Sequence, residues 1–180
     1  MRNPVMAVAF AAALGYGFFN SLGHLPNNKP VAIPEAAPGA SPMSPRPIKE
    51  NVVAYSTVDK AMQGAKAKGH ATLPRFHALI DAGTPGTYTV KFPLTQNGAT
   101  EHIWMQLVDL GDGTFIGLLA DEPVNGNQYK MGDRVTVAEA DVEDWMVRNG
   151  SDVYGGYTVR QALADMPSEK AAKYGIAFKD

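Results

Sequence analysis

His102 stands two residues before Trp104 in the stretch Glu101-His102-Ile103-Trp104-Met105. If that stretch is a strand, His102 and Trp104 point to the same face. A histidine so placed is a candidate general base or metal ligand. The simpler account is a structural histidine hydrogen-bonded at a sheet edge. No second histidine has ligand spacing, so no metal site is expected. His70 and His77 fall in the helical region and read as surface residues, and His24 lies in the N-terminal tail. The carboxylates are Glu101, Asp141, Glu143 and Asp144. Paired carboxylates can cut glycosidic bonds. Acids at the first turn of a helix complement its dipole, which accounts for Asp141 and Glu143 without chemistry. Asp144 precedes Trp145 and could pair with Arg160.

The third group is Gly155-Gly156-Tyr157-Thr158-Val159-Arg160. A glycine turn entering a helix can hold an anion, and an arginine adds a forked donor. The plainer account is a tight turn and a capping box, with Thr158 as cap, Gln161 reaching back, and Arg160 bridging to Asp144 or Glu101. The chain has no G-x-S-x-G, H-E-x-x-H, phosphate-loop or calcium-loop pattern. Asp109 to Gly113 resembles a calcium loop only in its opening, because the acid at its twelfth position is missing. The candidate catalytic residues are therefore His102, Glu101 and Asp144. The candidate binding residues are Trp104, Trp145, Tyr157, Arg160 and Pro123, since aromatic side chains and arginine anchor recognition patches. No cofactor is implied.

These residues need elements to hold them. Ser56 or Thr57 caps a first helix with Val58, Ala61, Met62 and Ala65 at helical spacing, and Gly69 ends it. A second helix runs from Thr72 to Gly83 with Pro74 in its first turn and Phe76, Leu79 and Ile80 inward. Tyr88 to Phe92 alternates as a strand. Asn97-Gly98 is a hairpin turn, and His102 to Leu110 is the next strand. Thr114 to Ala120 and Asp133 to Ala138 follow as strands, separated by a loop over 121–132. Val142, Trp145 and Met146 have i, i+3, i+4 spacing and predict a helix. Helices from Thr158 to Pro167 and from Ser168 to Tyr174 complete the pattern. The expectation is a single α+β domain: a four-stranded antiparallel, strongly curled sheet flanked by short helices at both ends.

The N-terminal residues read differently. Val5 to Phe19 is uncharged and follows a positive start, too short for a comfortable bilayer span. Residues 1–23 are expected to be a signal peptide, or else an anchor through residues 4–19. Seven prolines between Pro26 and Pro47 mark residues 24–50 as an extended, flexible linker. The domain over 51–180 carries 12 basic and 16 acidic residues, a net of −4. That balance excludes ordinary nucleic-acid binding and gives no attraction to an anionic surface. The absence of cysteine excludes disulfides, thiolate metal sites and cysteine nucleophiles.

Glu101-His102-Ile103-Trp104, Gly117, Glu122-Pro123, Met131 to Val135, Asp144-Trp145-Met146 and Gly156 to Arg160 together resemble the uncharacterised bacterial YegJ-like family (domain of unknown function 2314). The likeness extends over Val58 to Met166 and includes Thr72 to Phe76; Asp121 stands where asparagine is expected. The resemblance supports the domain boundaries and implies no activity. Two functions remain. One is a periplasmic or secreted non-enzymatic domain that binds a protein or cell-envelope partner, as an inhibitor or immunity-type protein does. The other is a cell-envelope hydrolase using His102 with a nearby carboxylate.

Overall fold

The computed structural model describes residues 5–9, 52–56 and 59–180. The linker and most of the expected leader lie outside the described residues. Within the leader stretch, β1 (Val5–Ala9) is a strand paired antiparallel with β2 (Val52–Ser56). Among the described residues no helix is long and apolar enough to cross a membrane.

Helix α1 (Lys60–Ala71) is capped by Asp59, whose carboxylate accepts the Met62 N–H at 2.8 Å. The expected caps lie upstream: Ser56 is the last residue of β2. Gly69 sits inside α1 and does not end it. Thr72 links it to α2 (Leu73–Asp81), which has Pro74 in its first turn as expected. The central hairpin is β3 (Thr87–Gln96) and β4 (Ala99–Gly111), turned at Asn97 and Gly98, both with positive φ. β5 (Thr114–Leu119) and β6 (Arg134–Ala138) extend the meander.

The sheet then departs from expectation. Asp144 to Asn149 is a strand, β7, antiparallel to β3, and not a helix. β8 (Asp152–Gly155) and β9 (Ala177–Lys179) add two more. Among the described residues the sheet has nine strands, seven of them between Thr87 and Lys179, where four were expected. It is not strongly curled. The row runs β6-β5-β4-β3-β7-β8-β9, and among the described residues its two ends do not pair with each other. The helical spacing of Val142, Trp145 and Met146 misleads because both faces of the sheet are covered. Trp145 and Met146 point to opposite faces, and each meets a core.

On one face α2 contributes Leu73 and Phe76 to a core with Phe92, Ile103, Phe115 and Trp145. On the other, α1 and α3 (Tyr157–Ala164) close over Trp104 and Met146 with Met62, Val159 and Ala162. A short helix α4 (Ser168–Ala172) follows.

Candidate functional site

The face beneath α1 and α3 carries charge where apolar residues are the rule. Register explains how. Lys91 of β3 lies opposite Trp104 of β4 on one side and Asp144 of β7 on the other. Three neighbouring strands thus place an indole, an ammonium and a carboxylate in one row. Lys91 and Asp144 are both fully buried, at 0% exposure. The Lys91 ammonium lies 5.6 Å from the Trp104 ring centroid and donates to Thr158 Oγ1 at 3.3 Å. Thr158 Oγ1 donates in turn to Asp144 Oδ2 at 2.7 Å. Asp144 also accepts the backbone N–H groups of Trp145, Tyr157 and Thr158 at 2.9, 3.2 and 2.7 Å.

Asp144 therefore caps α3 from another strand. The helix starts at Gly156, in left-handed conformation with no side-chain cap of its own. The capping box does not form: Thr158 is inside the helix and the Gln161 amide donates to Asp165 at 2.9 Å. Nor does Asp144 or Glu101 pair with Arg160. Arg160 donates to the carbonyls of Gly155 and Lys179 and to the carboxylate of Asp180.

Burial pushes the Lys91 amine down to about 8, against the pull of Asp144 and Glu143. Burial likewise pushes the Asp144 carboxyl up, opposed by its hydrogen bonds from Thr158 and by Lys91.

A second, shallower group adjoins the first. Lys66 lies on the inward stripe Met62–Lys66–Gly69 of α1. It donates to Glu143 Oε1 at 3.0 Å, while His102 Nδ1 lies 2.6 Å from Glu143 Oε2. The three side chains are 10%, 12% and 19% exposed for Lys66, His102 and Glu143. Burial raises the Glu143 carboxyl, but His102 and Lys66 together outweigh it and hold it below its usual range. Glu143 is then an acceptor, which assigns the Nδ1 proton of His102 to the bond with it. Lys66 Nζ is 3.1 Å from Nδ1 and 3.4 Å from Nε2, a close approach to the ring.

Gly69 makes this packing feasible. A Cβ there would lie 2.5 Å from the Glu143 carbonyl oxygen and 2.8 Å from Asp144 Cα. Glycine lets α1 rest on the start of β7, which brings Lys66 to Glu143.

Of the candidate catalytic residues, the three do not converge. His102 pairs with Glu143, a residue the sequence reading assigned to a helix dipole. The expected α-helix is absent: Asp141 ends a short 3-10 helix (Glu139–Asp141) and is exposed, and Glu143 lies between it and β7. Glu101 turns to the loop over 121–132, accepting the N–H groups of Val124 at 3.0 and 3.1 Å and of Asn125 at 3.3 Å. Burial raises its carboxyl above the ordinary range. Of the candidate binding residues, Trp104 and Trp145 are fully buried and are not surface anchors, and Pro123 is buried too. Tyr157 and Arg160 do meet. They line an open, shallow groove between α1 and α3, with Gly64, Ala65, Lys68 and Gln161. Lys66 and Glu143 were not among the candidates. Lys66 had a signal, as a lysine four residues after Met62 on the inward stripe. Among the described residues no group of three or more acidic, histidine or cysteine side chains is placed to hold a metal.

A single open α+β sheet, covered by helices on both faces and carrying a buried Lys91–Thr158–Asp144 chain, defines the class of domain. The chain belongs to the family described as "Uncharacterized protein conserved in bacteria (DUF2314)", which matches residues 59–178. It is 29% identical over 124 residues to "Uncharacterized protein YegJ" of Escherichia coli (strain K12), covering 69% of this chain and 81% of that protein. No solved structure matches it.

Proposed function

We propose that this chain is an exported, non-enzymatic binding domain that holds an acidic segment of a protein or cell-envelope partner in the groove between α1 and α3. Its location would be the periplasm or the cell exterior, free after leader removal or tethered by residues 4–19. Inhibitor or immunity-type action would suit such a domain.

The observation that carries this reading is the charge of the groove. The charged residues lining it, Lys68 and Arg160, are both basic in a domain of net charge −4. Lys68 Nζ lies 5.0 Å from the Tyr157 ring centroid and Arg160 Cζ lies 5.4 Å from it. Two cations around one aromatic ring favour a ligand with a carboxylate beside an apolar group. Arg160, itself 26% exposed and held by the Gly155 and Lys179 carbonyls, also holds Asp180, which is 94% exposed, and an exposed carboxylate exchanges for an incoming one at little cost. Small side chains from Gly64 and Ala65 leave room for backbone.

The test is affinity capture from an envelope extract with the full chain and with Lys68→Glu combined with Arg160→Glu. The expected result is one stoichiometric partner, retained by the wild type and lost by the charge-reversed variant. Equal capture by both would remove the groove from the account.

One contact favours a second reading, a cell-envelope hydrolase. The 2.6 Å approach of His102 Nδ1 to Glu143 is the geometry of a base and its orienting group. Release of soluble fragments from peptidoglycan by the wild type, abolished by His102→Gln, would support it. Equal release by both, or none from either, would exclude it.

A further inference from the structure

β4 is longer than its neighbour on one side. β3 pairs with it from Ala99 to Gln106 along one edge. Along the other edge, β5 pairs only from Met105 to Gly111. The last bond on that side is Ala120 N–H to the Trp104 carbonyl, at 2.9 Å. Beyond it the chain leaves as the 121–132 loop, so Ala99 to Ile103 has an edge that β5 does not reach. The Trp104 carbonyl faces this side, so by strand alternation the backbone groups of Thr100 and His102 face it too, and the His102 side chain is only 12% exposed. Buried backbone without a hydrogen-bond partner is unfavourable, and proteins cover such edges.

In this chain the cover is β1, which runs parallel to β4 with Val8 opposite His102. Its sequence, Val-Met-Ala-Val-Ala, is uncharged and apolar throughout. A parallel neighbour needs no hairpin connection, so nothing in the pairing requires a strand of the same chain. β1 also lies within the segment expected to be removed on export.

We propose that the Ala99–Ile103 edge of β4 is a strand-accepting site, filled by Val5–Ala9 where that segment is present and free to pair, and by an extended, uncharged, apolar segment of a partner where that segment is removed or held in a bilayer. Main-chain hydrogen bonds supply the attachment, and apolar side chains on alternate positions supply the selectivity. The site uses residues distinct from the α1–α3 groove and stands without it.

Hydrogen exchange read by mass spectrometry tests the site on the full chain, wild type and Val8→Pro, with Ala7→Pro as a second variant. Proline removes a backbone donor from the pairing strand. Exchange over residues 99–104 is expected to rise about tenfold in the proline variants, with 114–119 unchanged as the sign of an intact fold. A synthetic peptide of residues 3–11 should restore protection, and the same peptide carrying Val8→Pro should not. If the purified chain has lost residues 1–23, it is the open-edge species, and the peptide should protect it directly. Unchanged exchange in both variants, or a peptide that gives no protection to an open edge, would overturn the proposal. Protection that rises with protein concentration alone would assign the edge to a second copy and overturn the partner assignment.

Discussion

Asp144 of β7 holds Thr158 of α3 twice through one oxygen, accepting its backbone N–H at 2.7 Å and its hydroxyl at 2.7 Å. A strand residue thus does the work usually done by the cap preceding a helix. The groove wall formed by Tyr157 and Arg160 is therefore anchored to the sheet at its base.

Asp144→Ala should be among the most damaging substitutions in the domain. It leaves the first turn of α3 without its acceptor and Lys91 without the opposite charge that acts on it most strongly. The expected loss is ~3–5 kcal/mol, as for breaking a buried pair from one side. Thr158→Val, which removes only the bridging hydroxyl, should cost ~1–3 kcal/mol. Urea denaturation of both variants decides; losses under 1 kcal/mol in Asp144→Ala would contradict the anchoring role.

Lys91 predicts a pH dependence with a definite sign. Its folded value is about 8 against an ordinary 10.5. Between those values the unfolded chain keeps a proton that the folded chain has lost. Stability contributed by this group therefore rises as pH climbs from about 8 to 10.5. The full effect is on the order of 3 kcal/mol. Lys91→Met should flatten that rise, while leaving the acid limb in place. On that limb Glu143, held low by His102 and Lys66, contributes stability that is lost as pH falls below about 4.5. Equilibrium unfolding between pH 3 and 10.5 measures both limbs.

Two glycines of the same helix should respond in opposite directions. A Cβ at Gly69 runs into the Glu143 carbonyl and Asp144, so Gly69→Ala must lift α1 from β7 at a cost of ~1–3 kcal/mol. At Gly64 a Cβ meets nothing within 4 Å. Gly64→Ala should stabilise the helix by ~0.5–1 kcal/mol. Thermal unfolding of the two variants checks the contrast.

Glu101 is a loop clamp in this account. Glu101→Gln replaces one acceptor oxygen by a donor and should speed exchange of the Val124 and Asn125 amides, with β4 itself little changed. Amide exchange by NMR measures it, and unchanged protection in the loop would refute the clamp.

The meander from Tyr88 to Ala138 was legible because one period dominates it and its turns carry Asn97-Gly98 and Asp112-Gly113. The helices around Met62, Phe76 and Val159 were legible for the same reason at the helical period. β7 was not, because a strand buried on both faces loses its alternation, and Trp145-Met146 then fits a helix equally well. β8 and β9 are too short to show a period. The charged site was half visible. His102 stood out by type, but its partner Glu143 and neighbour Lys66 come from elements far apart in the chain. Their meeting depends on Gly69 and on the crossing of α1 over β7, which local pattern does not encode. The aromatic anchors failed for a related reason: tryptophan marks an interface or a core equally well until burial is known.

The central claim is that the α1–α3 groove is the recognition surface. The most direct measurement places a photo-crosslinking residue at Gly64, where space is open, and a control one at Asp112 in the exposed β4–β5 turn. Cells expressing the full chain are irradiated and the adducts are identified. The account predicts one discrete adduct from position 64, none from 112, and loss of the adduct when Lys68→Glu is added. Adducts from both positions alike, or an adduct indifferent to Lys68→Glu, would contradict it.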